Sequence, residues 1–343
     1  MQRALLLAKK GGVTVRPNPM VGCVIVTSNV VIAEGWHERY GGPHAEVNAI
    51  AQLPADADLS SATVYVTLEP CSHFGKTPPC ADLLITKRPA RVVIAMEDPN
   101  PLVAGRGVER LRLAGIAVEV GICGEAARAL NKFFVTYHVL QRPYITLKWA
   151  MTADGFISRL PLPVRREDNQ ITCRDSLRLV HKLRSEHMAI MVGRPTVEAD
   201  DPLLNTRLVE GPSPLPVIID RLKQLQLHYH LTNGSHAALI YNLLVSERRG
   251  DVEWVRLNEE QDFLKQVVSD LFDRKIHSLM VEGGGKLLEQ MIAAGMWDEM
   301  VVFVNPSLKF GNGVVAPTVS LPENGEKSGT DYLFHIKNPS SVA

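Results

Sequence analysis

Short apolar runs with strand character alternate with segments of helical periodicity along most of the chain, and this alternation is what most constrains the fold. In the first part of the chain the predicted strands are Val21–Val26, Thr63–Thr67, Arg91–Ala95 and Val118–Val120. The predicted helices between them are Gln2–Lys10, Ala45–Gln52, Cys80–Thr86 and Val108–Ala114. Strands that alternate with helices are typical of an α/β sheet, so the chain is predicted to begin with an α/β domain.

A proline marks the predicted end of this domain. A longer helical pattern runs from Glu125 to Leu140 and then meets Arg142-Pro143, where the proline disfavours helix at the residue before it. The chain has 343 residues, which exceeds the usual size of a single domain. We therefore predict two domains, 1–142 and 143–343.

The same alternation restarts in the second part of the chain. Its predicted strands are Tyr144–Ala150, Ala189–Val192, Val217–Asp220, Ala237–Tyr241, Ser278–Glu282 and Met300–Val304. Its predicted helices are Asp175–Ser185, Glu260–Arg274 and Lys286–Ala294. This pattern predicts a second α/β domain. The residues after about 322 are polar and weakly patterned, and we expect a partly ordered tail there.

The charge and cysteine content narrow the class of partner and the compartment. Lys plus Arg and Asp plus Glu both number 37, so no global field attracts nucleic acid or an anionic membrane, and a small-molecule substrate is expected. No apolar run approaches the roughly 18 residues of a membrane helix, and no signal-peptide core is present, so we expect a cytoplasmic protein. The five cysteines are too sparse for a disulfide framework, which leaves reduced thiols available to a metal.

One histidine and two cysteines stand at equivalent places in the predicted elements. His44 precedes a helix, Cys71 follows a strand, and Cys80 opens another helix. Strand ends and helix starts gather along one edge of an α/β sheet, which is where ligands bind. One imidazole and two thiolates leave a fourth position for water, as in a catalytic zinc site. Glu46, two residues past His44, is placed to move protons at that water without binding the metal.

This arrangement follows the zinc-deaminase pattern His-x-Glu with Pro-Cys-x-x-Cys, with one departure. The two cysteines are separated by the long insert 72–79 instead of two residues. The alternative interpretation, a capped surface histidine and two ordinary buried thiols, does not explain why three ligand types and a carboxylate all fall at element starts. Cys23, Cys123 and Cys173 lie in or beside apolar runs without a second ligand, and we expect them to be core or inert residues.

Two other classes of zinc protein are disfavoured. A nucleic-acid-editing deaminase would need a basic, aromatic-rich surface, whereas this chain is neutral with 6% aromatic residues. A non-catalytic zinc-binding module would have no need of Glu46.

Several stretches together resemble the bifunctional riboflavin-biosynthesis deaminase/reductase family. In the first domain they are Pro17–Gly22, Gly35–His37, His44–Glu46, Glu69–Cys80, Asp98–Pro101 and Gly105–Gly107. In the second they are Leu147-Lys148, Asp154-Gly155, Arg184, Thr196–Pro202, Arg207, Ile219-Asp220 and Val281–Gly285. The long insert between the cysteines is similar to that of this family. The resemblance implies a cytidine-deaminase-like three-layer domain followed by a dihydrofolate-reductase-like α/β domain, with a likeness over almost the whole chain.

For the first domain, the resemblance implies removal of the 2-amino group of 2,5-diamino-6-(5-phosphoribosylamino)pyrimidin-4(3H)-one, with one zinc ion per chain. The family positions that line the substrate site match Asn18, His37, Lys76, Asp98 and Asn100. An amide such as Asn18 can read the ring edge, and Lys76 can meet the phosphate as a point charge. Asp98 and Asn100 also fit turn positions, because such residues beside proline commonly form turns.

For the second domain, the resemblance implies an NADPH-dependent reduction of the ribosyl chain to ribityl. We also expect the chain to form a homo-oligomer, either a dimer or a tetramer. Lys148 and Asp200 match positions near the reacting ribose. The implied substrate residues are Asp168, Arg184, Leu204, Arg207 and Glu282. The implied cofactor residues are Met151, Gln170, Thr196, Asp200, Arg221, Gly283, Gly284 and Gly285. A strand that ends in glycines before a helix lets backbone amides approach a phosphate.

The second domain also departs from the family pattern. Arg194-Pro195 stands where the family has small residues after Gly193, and this cation could bind the cofactor phosphate or block it. The sequence therefore leaves an alternative open, in which only the deaminase is active and the second domain serves oligomerisation.

Overall fold

The structure, a computed structural model, describes residues 1–72, 78–101, 103–161 and 166–342. It contains two compact units, Met1–Gln141 and Arg142–Ser341. This division lies next to the proline on which the predicted boundary rests. No helix in the described ranges is long and apolar enough to cross a membrane.

The first unit is a five-stranded sheet with helices on both faces. Its strands are β1 (Gly22–Thr27), β2 (Val30–Trp36), β3 (Thr63–Val66), β4 (Arg91–Ile94) and β5 (Ala117–Val120). Its helices are α1 (Gln2–Lys9), α2 (Ala45–Ile50), α3 (Cys80–Lys87), α4 (Arg106–Leu113), α5 (Gly124–Leu130) and α6 (Lys132–Leu140), with a 3₁₀ turn at Gly12–Val15. The strand order is β2-β1-β3-β4-β5, in which β3, β4 and β5 are parallel and β2 and β1 antiparallel to their neighbours.

The three layers follow from the apolar pattern of β1, which is buried on both faces. Cys23 and Ile25 pack into the core shared with α2 and α3, whereas Val24 packs against Ala4 and Leu7 of α1. Alternate residues of a strand point to opposite faces, so a strand without polar positions needs cover on both sides.

The first unit differs from the sequence prediction in two places. Strand β2 was not predicted, and the single helix expected over 125–140 is two helices that break at Asn131. The reason for the break is a distant contact. The Asn131 side chain accepts a hydrogen bond from the Met20 amide at 2.8 Å and donates one to the Met20 carbonyl at 3.0 Å.

The second unit contains a ten-stranded sheet and a separate two-stranded sheet. Its strands are β6 (Tyr144–Thr152), β7 (Phe156–Arg159), β8 (Ala189–Gly193), β9 (Leu215–Ile219), β10 (Ala238–Asn242), β11 (Glu247–Arg249), β12 (Val252–Arg256), β13 (Ser278–Gly283), β14 (Glu299–Asn305), β15 (Gly313–Val315), β16 (Glu326–Ser328) and β17 (Asp331–Lys337). Its helices are α7 (Arg174–Glu186), α8 (Arg194–Asp200), α9 (Phe263–Asp273) and α10 (Gly285–Ala293), with a 3₁₀ turn at Arg166–Asn169.

The strand order is β11-β12-β10-β9-β8-β13-β6-β14-β17-β16, while β7 and β15 form a separate pair. The strands from β12 to β14 run parallel, β11 and β17 are antiparallel to them, and β16 is antiparallel to β17. Parallel strands end at one edge of a sheet, so the segments after β8, β9 and β13 come together there.

The structure departs from the expectation of a partly ordered tail after residue 322 at Glu326–Ser328 and Asp331–Lys337, which form β16 and β17. Strand β17 pairs with β14 from Glu299↔Lys337 to Val304↔Tyr332, and Leu333 is buried in the core. The segment is too polar to show a strand on its own, and its order comes from the neighbouring strand. Helix α8 was also not predicted.

Candidate active site

The three predicted zinc ligands lie together at one edge of the first sheet. His44 caps the start of α2, Cys71 follows β3, and Cys80 is the first residue of α3. The His44 Nδ1 atom lies 3.6 Å from Cys71 Sγ and 3.3 Å from Cys80 Sγ. All three possible ligand atoms lie within 4.8 Å of one another.

These separations fit a tetrahedral zinc ion. Zinc–sulfur bonds of about 2.3 Å and zinc–nitrogen bonds of about 2.0–2.1 Å, at tetrahedral angles, place a sulfur and a nitrogen roughly 3.6 Å apart. The backbone amide of Cys80 also points at Cys71 Sγ, at 3.3 Å. The Cys80 thiol, hydrogen-bonded to Cys71, lowers the pKa of Cys71 to about 4. A site that favours a thiolate at Cys71 and holds three ligands at this spacing suits a divalent cation.

The Glu46 carboxyl group is buried beside these ligands. Its residue is 3% exposed, and burial raises the pKa of Glu46 to about 7. His44, Cys71 and Cys80 all affect the pKa of this carboxyl group, which places it against the ligand cluster. A carboxyl group at this position can exchange protons with a molecule bound in the open fourth position.

Glu69, also buried, ties the cysteine segment to the loop that follows β4. Its Oε2 atom accepts hydrogen bonds from the amides of Asp98 and Gly105, at 3.1 and 2.9 Å. Its Oε1 atom accepts two more from Gly107 and Val108, at 2.9 and 3.1 Å. Cys71 follows Glu69 by two residues. The carboxylate of Glu69 therefore fixes the position of this proposed metal ligand relative to the start of α4.

His37 and Asn18 form a hydrogen-bonded pair next to the metal ligands. The His37 Nδ1–H donates to the Pro43 carbonyl at 2.9 Å, so His37 Nε2 accepts from the Asn18 amide at 3.1 Å. Burial lowers the pKa of His37, which keeps the ring neutral in this arrangement. Its ring lies edge-on to His44, with 5.6 Å between the ring centroids.

Of the other predicted deaminase residues, Asp98 and Asn100 lie in the loop after β4. Asp98 is buried, and its Oδ1 atom accepts from the Asn100 amide at 2.8 Å in a local turn. Burial raises the pKa of Asp98 to about 6. Asp98 and Asn100 thus lie in a local turn within the loop that Glu69 holds. Lys76 lies outside the described residues.

The second unit has a cleft of about 1200 Å³ at the carboxyl edge of its parallel strands. Most of the predicted reductase residues line it: Lys148, Gln170, Arg184, Thr196, Asp200, Leu204, Arg207, Arg221, Glu282, Gly283, Gly284 and Gly285. Met151 and Asp168 are not among the described residues that line the cleft. Met151 packs against the apolar core, and Asp168 is exposed in the 3₁₀ turn at Arg166–Asn169.

An ion pair lies in the cleft. Arg184 Nε and Nη2 donate to the two Glu282 oxygens at 2.8 and 2.6 Å, and Arg184 Nη1 donates to the Asn205 carbonyl at 3.2 Å. Burial raises the pKa of Glu282, but the positive charges of Arg184 and Lys148 outweigh this effect and lower the pKa to about 2. Burial lowers the pKa of Lys148.

A glycine turn joins β13 to α10 along the same cleft. Gly283 has a φ of +143°, which favours glycine, and a Cβ on Gly284 would lie 3.5 Å from Thr196 Oγ1. The turn therefore exposes backbone next to a hydroxyl at the start of a helix, an arrangement suited to a phosphate.

Sequence reasoning missed three residues. Glu69 and Asn131 act through distant backbone groups, which no local pattern reveals. His181, a buried residue of α7, also lines the cleft. It lies three residues before Arg184, on the same helix face, and this helical spacing is the signal that could have found it.

Family sequence patterns agree with both sites. Residues 1–96 match the cytidine and deoxycytidylate deaminase zinc-binding region, and residues 143–321 match the RibD C-terminal domain. The chain is therefore a zinc-binding deaminase joined to a reductase. This confirms the predicted fold class.

Relatives cover almost the whole chain. The riboflavin biosynthesis protein RibD of Aquifex aeolicus is 42% identical over 92% of this chain and 88% of its own. A solved structure of Acinetobacter baumannii RibD has a TM-score of 0.86 and 33% identity, covering 98% of this chain and 97% of that chain. A Thermotoga maritima diaminohydroxyphosphoribosylaminopyrimidine deaminase/5-amino-6-(5-phosphoribosylamino)uracil reductase has a TM-score of 0.85 and 36% identity, with the same coverage.

The chain belongs to the RibD family, the bifunctional deaminase/reductases of riboflavin biosynthesis. The predictions of a bifunctional enzyme and of its zinc and NADPH cofactors are confirmed at the level of the family.

Proposed function

We propose that the first unit hydrolyses the 2-amino group from 2,5-diamino-6-(5-phosphoribosylamino)pyrimidin-4(3H)-one, and that the second unit reduces the ribosyl chain of the product. The observation that carries the first half is the buried Glu46 carboxyl group beside His44, Cys71 and Cys80, whose ligand atoms lie within 4.8 Å of one another. These four residues are the proposed metal ligands and proton carrier.

In the proposed deamination, water adds to the ring carbon that bears the amino group, the carbon–nitrogen bond breaks, and ammonia leaves as a carbonyl forms. When bound, zinc would lower the pKa of a coordinated water from 15.7 to about 7. Glu46 takes one proton from the attacking water and gives it to the departing amine. Burial of Glu46 keeps bulk water from exchanging that proton.

Asn18, His37, Asp98, Asn100 and Lys76 are the proposed substrate residues of this unit. The pairing of His37 with Asn18 supports a neutral, fixed edge for reading a pyrimidine ring. Asp98 and Asn100 lie in a loop whose amides Glu69 holds, so their position is coupled to that of Cys71.

In the proposed reduction, the bond between the first ribosyl carbon and the ring oxygen breaks, and the oxygen takes a proton. When bound, NADPH would supply a hydride to that carbon. Lys148 or Asp200, both in the cleft, is proposed to hold the proton. Met151, Gln170, Thr196, Asp200, Arg221 and Gly283–Gly285 are the proposed cofactor residues. Asp168, Arg184, Leu204, Arg207 and Glu282 are the proposed substrate residues.

We also propose a homo-oligomer in the cytoplasm. The edge strand β2 exposes the apolar side chains of Val30 and Ile32, which a second copy would cover. A reducing compartment would keep the thiols of Cys71 and Cys80 available to zinc. The particle mass in solution tests the assembly.

The test of the proposed function uses zinc-loaded protein, the diaminopyrimidine nucleotide and NADPH, with ammonia and NADPH absorbance followed together. The wild-type protein should release one ammonia for each NADPH oxidised. Glu46→Gln should keep its zinc and lose ammonia release by at least ~100-fold, because the proton carrier is removed. The same variant should still oxidise NADPH when it is given the deaminated nucleotide. Ammonia release at the wild-type rate would refute the role of Glu46.

A further inference from the structure

His181 is a completely buried residue whose ring lines the reductase cleft. It lies on α7, and its relative exposure is 0%. The same helix face carries Arg184 one turn later, and both side chains line the cleft. The proposed catalytic and cofactor roles do not use this histidine.

The hydrogen bonding of His181 fixes its tautomer. The Arg207 backbone amide donates to His181 Nδ1 at 3.2 Å, so Nδ1 is an acceptor and the proton is on Nε2. Burial, together with the charges of Arg184 and Arg207, lowers the pKa of His181 to about 4, which keeps the ring neutral. The Nε2–H group has no hydrogen-bond partner within the described part of the chain. Buried donors in folded proteins nearly always have partners, so a partner from outside the chain is indicated.

The charges around the ring indicate the kind of partner. Lys148, Arg184 and Arg207 are the cations that act on His181, and Glu282 is the carboxylate that acts on it. Glu282 already pairs with Arg184 through two hydrogen bonds. Lys148, Arg184 and Arg207 all line the cleft beside this donor, which lacks an acceptor among the described residues. An anionic oxygen meets both requirements, because it accepts hydrogen bonds and balances charge.

We propose that His181 is a substrate-binding residue of the reductase unit, whose Nε2–H donates a hydrogen bond to a phosphate oxygen of the pyrimidine nucleotide. This inference rests on the proposed function, which supplies a phosphorylated substrate to this cleft. The amide of Arg207 holds the ring in the tautomer that donates. His181 thus adds a neutral donor to the proposed substrate residues Arg184 and Arg207, which line the same cleft.

Two substitutions separate this role from a purely structural one. Asn places its side-chain oxygen the same number of bonds from Cβ as Nδ1 of histidine, so His181→Asn keeps the acceptor for the Arg207 amide and loses the donor at the position of Nε2. Gln places its side-chain nitrogen the same number of bonds from Cβ as Nε2, so His181→Gln keeps that donor and loses the acceptor at the position of Nδ1. The pair therefore tests each nitrogen of the ring in turn.

The experiment measures NADPH oxidation by the full-length, zinc-loaded protein with the deaminated nucleotide as substrate. His181→Asn should raise the KM for the nucleotide roughly 10- to 100-fold, as expected for one hydrogen bond to a charged group. His181→Gln should stay within about threefold of wild type. With the dephosphorylated nucleoside as substrate, His181→Asn and wild type should have equal KM values. The dissociation constant for NADPH and the rate of ammonia release show that both units remain folded.

Three results would overturn the proposal. The first is a wild-type KM for the nucleotide in His181→Asn. The second is a larger loss in His181→Gln than in His181→Asn, which would assign the residue to holding the Arg207 segment. The third is an equal loss with the nucleoside, which would exclude the phosphate as the partner. Failure of the proposed function would be seen separately, as an absence of NADPH oxidation by the wild-type protein.

Discussion

Glu69→Gln should loosen the loop after β4 and the start of α4 without removing any proposed catalytic group. The carboxylate of Glu69 accepts four backbone hydrogen bonds, from Asp98, Gly105, Gly107 and Val108. A glutamine has one carbonyl oxygen, which can accept two of them. Its amide nitrogen would then face the other two N–H groups, donor against donor.

The magnitude follows from these four contacts. Each hydrogen bond to a charged group contributes about 1.5–3 kcal/mol, and a buried donor left without a partner costs about 1–3 kcal/mol. Loss of two such bonds should therefore reduce the local opening free energy by roughly 3–6 kcal/mol. Since about 1.4 kcal/mol corresponds to a factor of ten, exchange of the affected amides should accelerate ~100-fold or more.

Hydrogen–deuterium exchange of peptides that cover residues 98–108 is the direct assay. Glu97→Gln is the matched control, because Glu97 is an exposed carboxylate of the same loop, and its loss should change stability by less than about 0.5 kcal/mol. Zinc content and ammonia release measured on the same samples show whether the loop also positions Cys71. Unchanged exchange in Glu69→Gln, or equal changes in both variants, would refute the role of these four hydrogen bonds.

Two further predictions concern the metal and the ion pair. Cys80→Ser should weaken zinc binding by at least ~100-fold, because a hydroxyl replaces a thiolate ligand. Elemental analysis after dialysis against a chelator measures the zinc that remains. One zinc ion retained per chain would contradict the prediction. The folded pKa of Glu282, about 2, lies below its ordinary value of about 4.3, so its stabilising contribution is present above pH ~4.3 and is lost as the pH falls towards 2. The stability difference between wild type and Glu282→Gln should therefore shrink by up to about 3 kcal/mol over that range in unfolding curves, and a difference independent of pH would exclude the ion pair as its source.

The metal cluster could be predicted from the sequence because each ligand falls at a position that the topology fixes. His44 and Cys80 begin helices, and Cys71 follows a strand, so the sheet brings all three to one edge. The helix break at Asn131 and strand β17, neither of which was predicted, depend on distant partners instead. Asn131 interrupts a helix to bind the backbone of Met20, and β17 is ordered by pairing with β14. Neither contact leaves a periodic signal in its own segment.

The substrate and cofactor residues were harder to place for a related reason. The family resemblance implied that Arg184 binds the substrate, and the structure gives three of its nitrogens partners within the chain. Conversely, nothing in the local pattern of α7 shows that the ring of His181 has one nitrogen paired and the other unpaired. Whether a buried polar group has a hydrogen-bond partner depends on how the whole chain packs, so it can be read from the structure but not from the local sequence.

Arg194 shows how topology decides between two interpretations that the sequence left open. Its Nη1 atom donates to Glu198 at 2.9 Å, and its Nε atom lies 3.8 Å from Asp220, at the end of β9. In the sheet, β9 and β13 flank β8 on opposite sides, so the guanidinium group is held on the side away from the Gly283 turn. Two carboxylates thus direct this cation away from the backbone that would approach a phosphate. This placement argues against Arg194 as a block of the glycine turn, and it leaves the guanidinium group on the lining of the cleft, where a cofactor phosphate could still reach it.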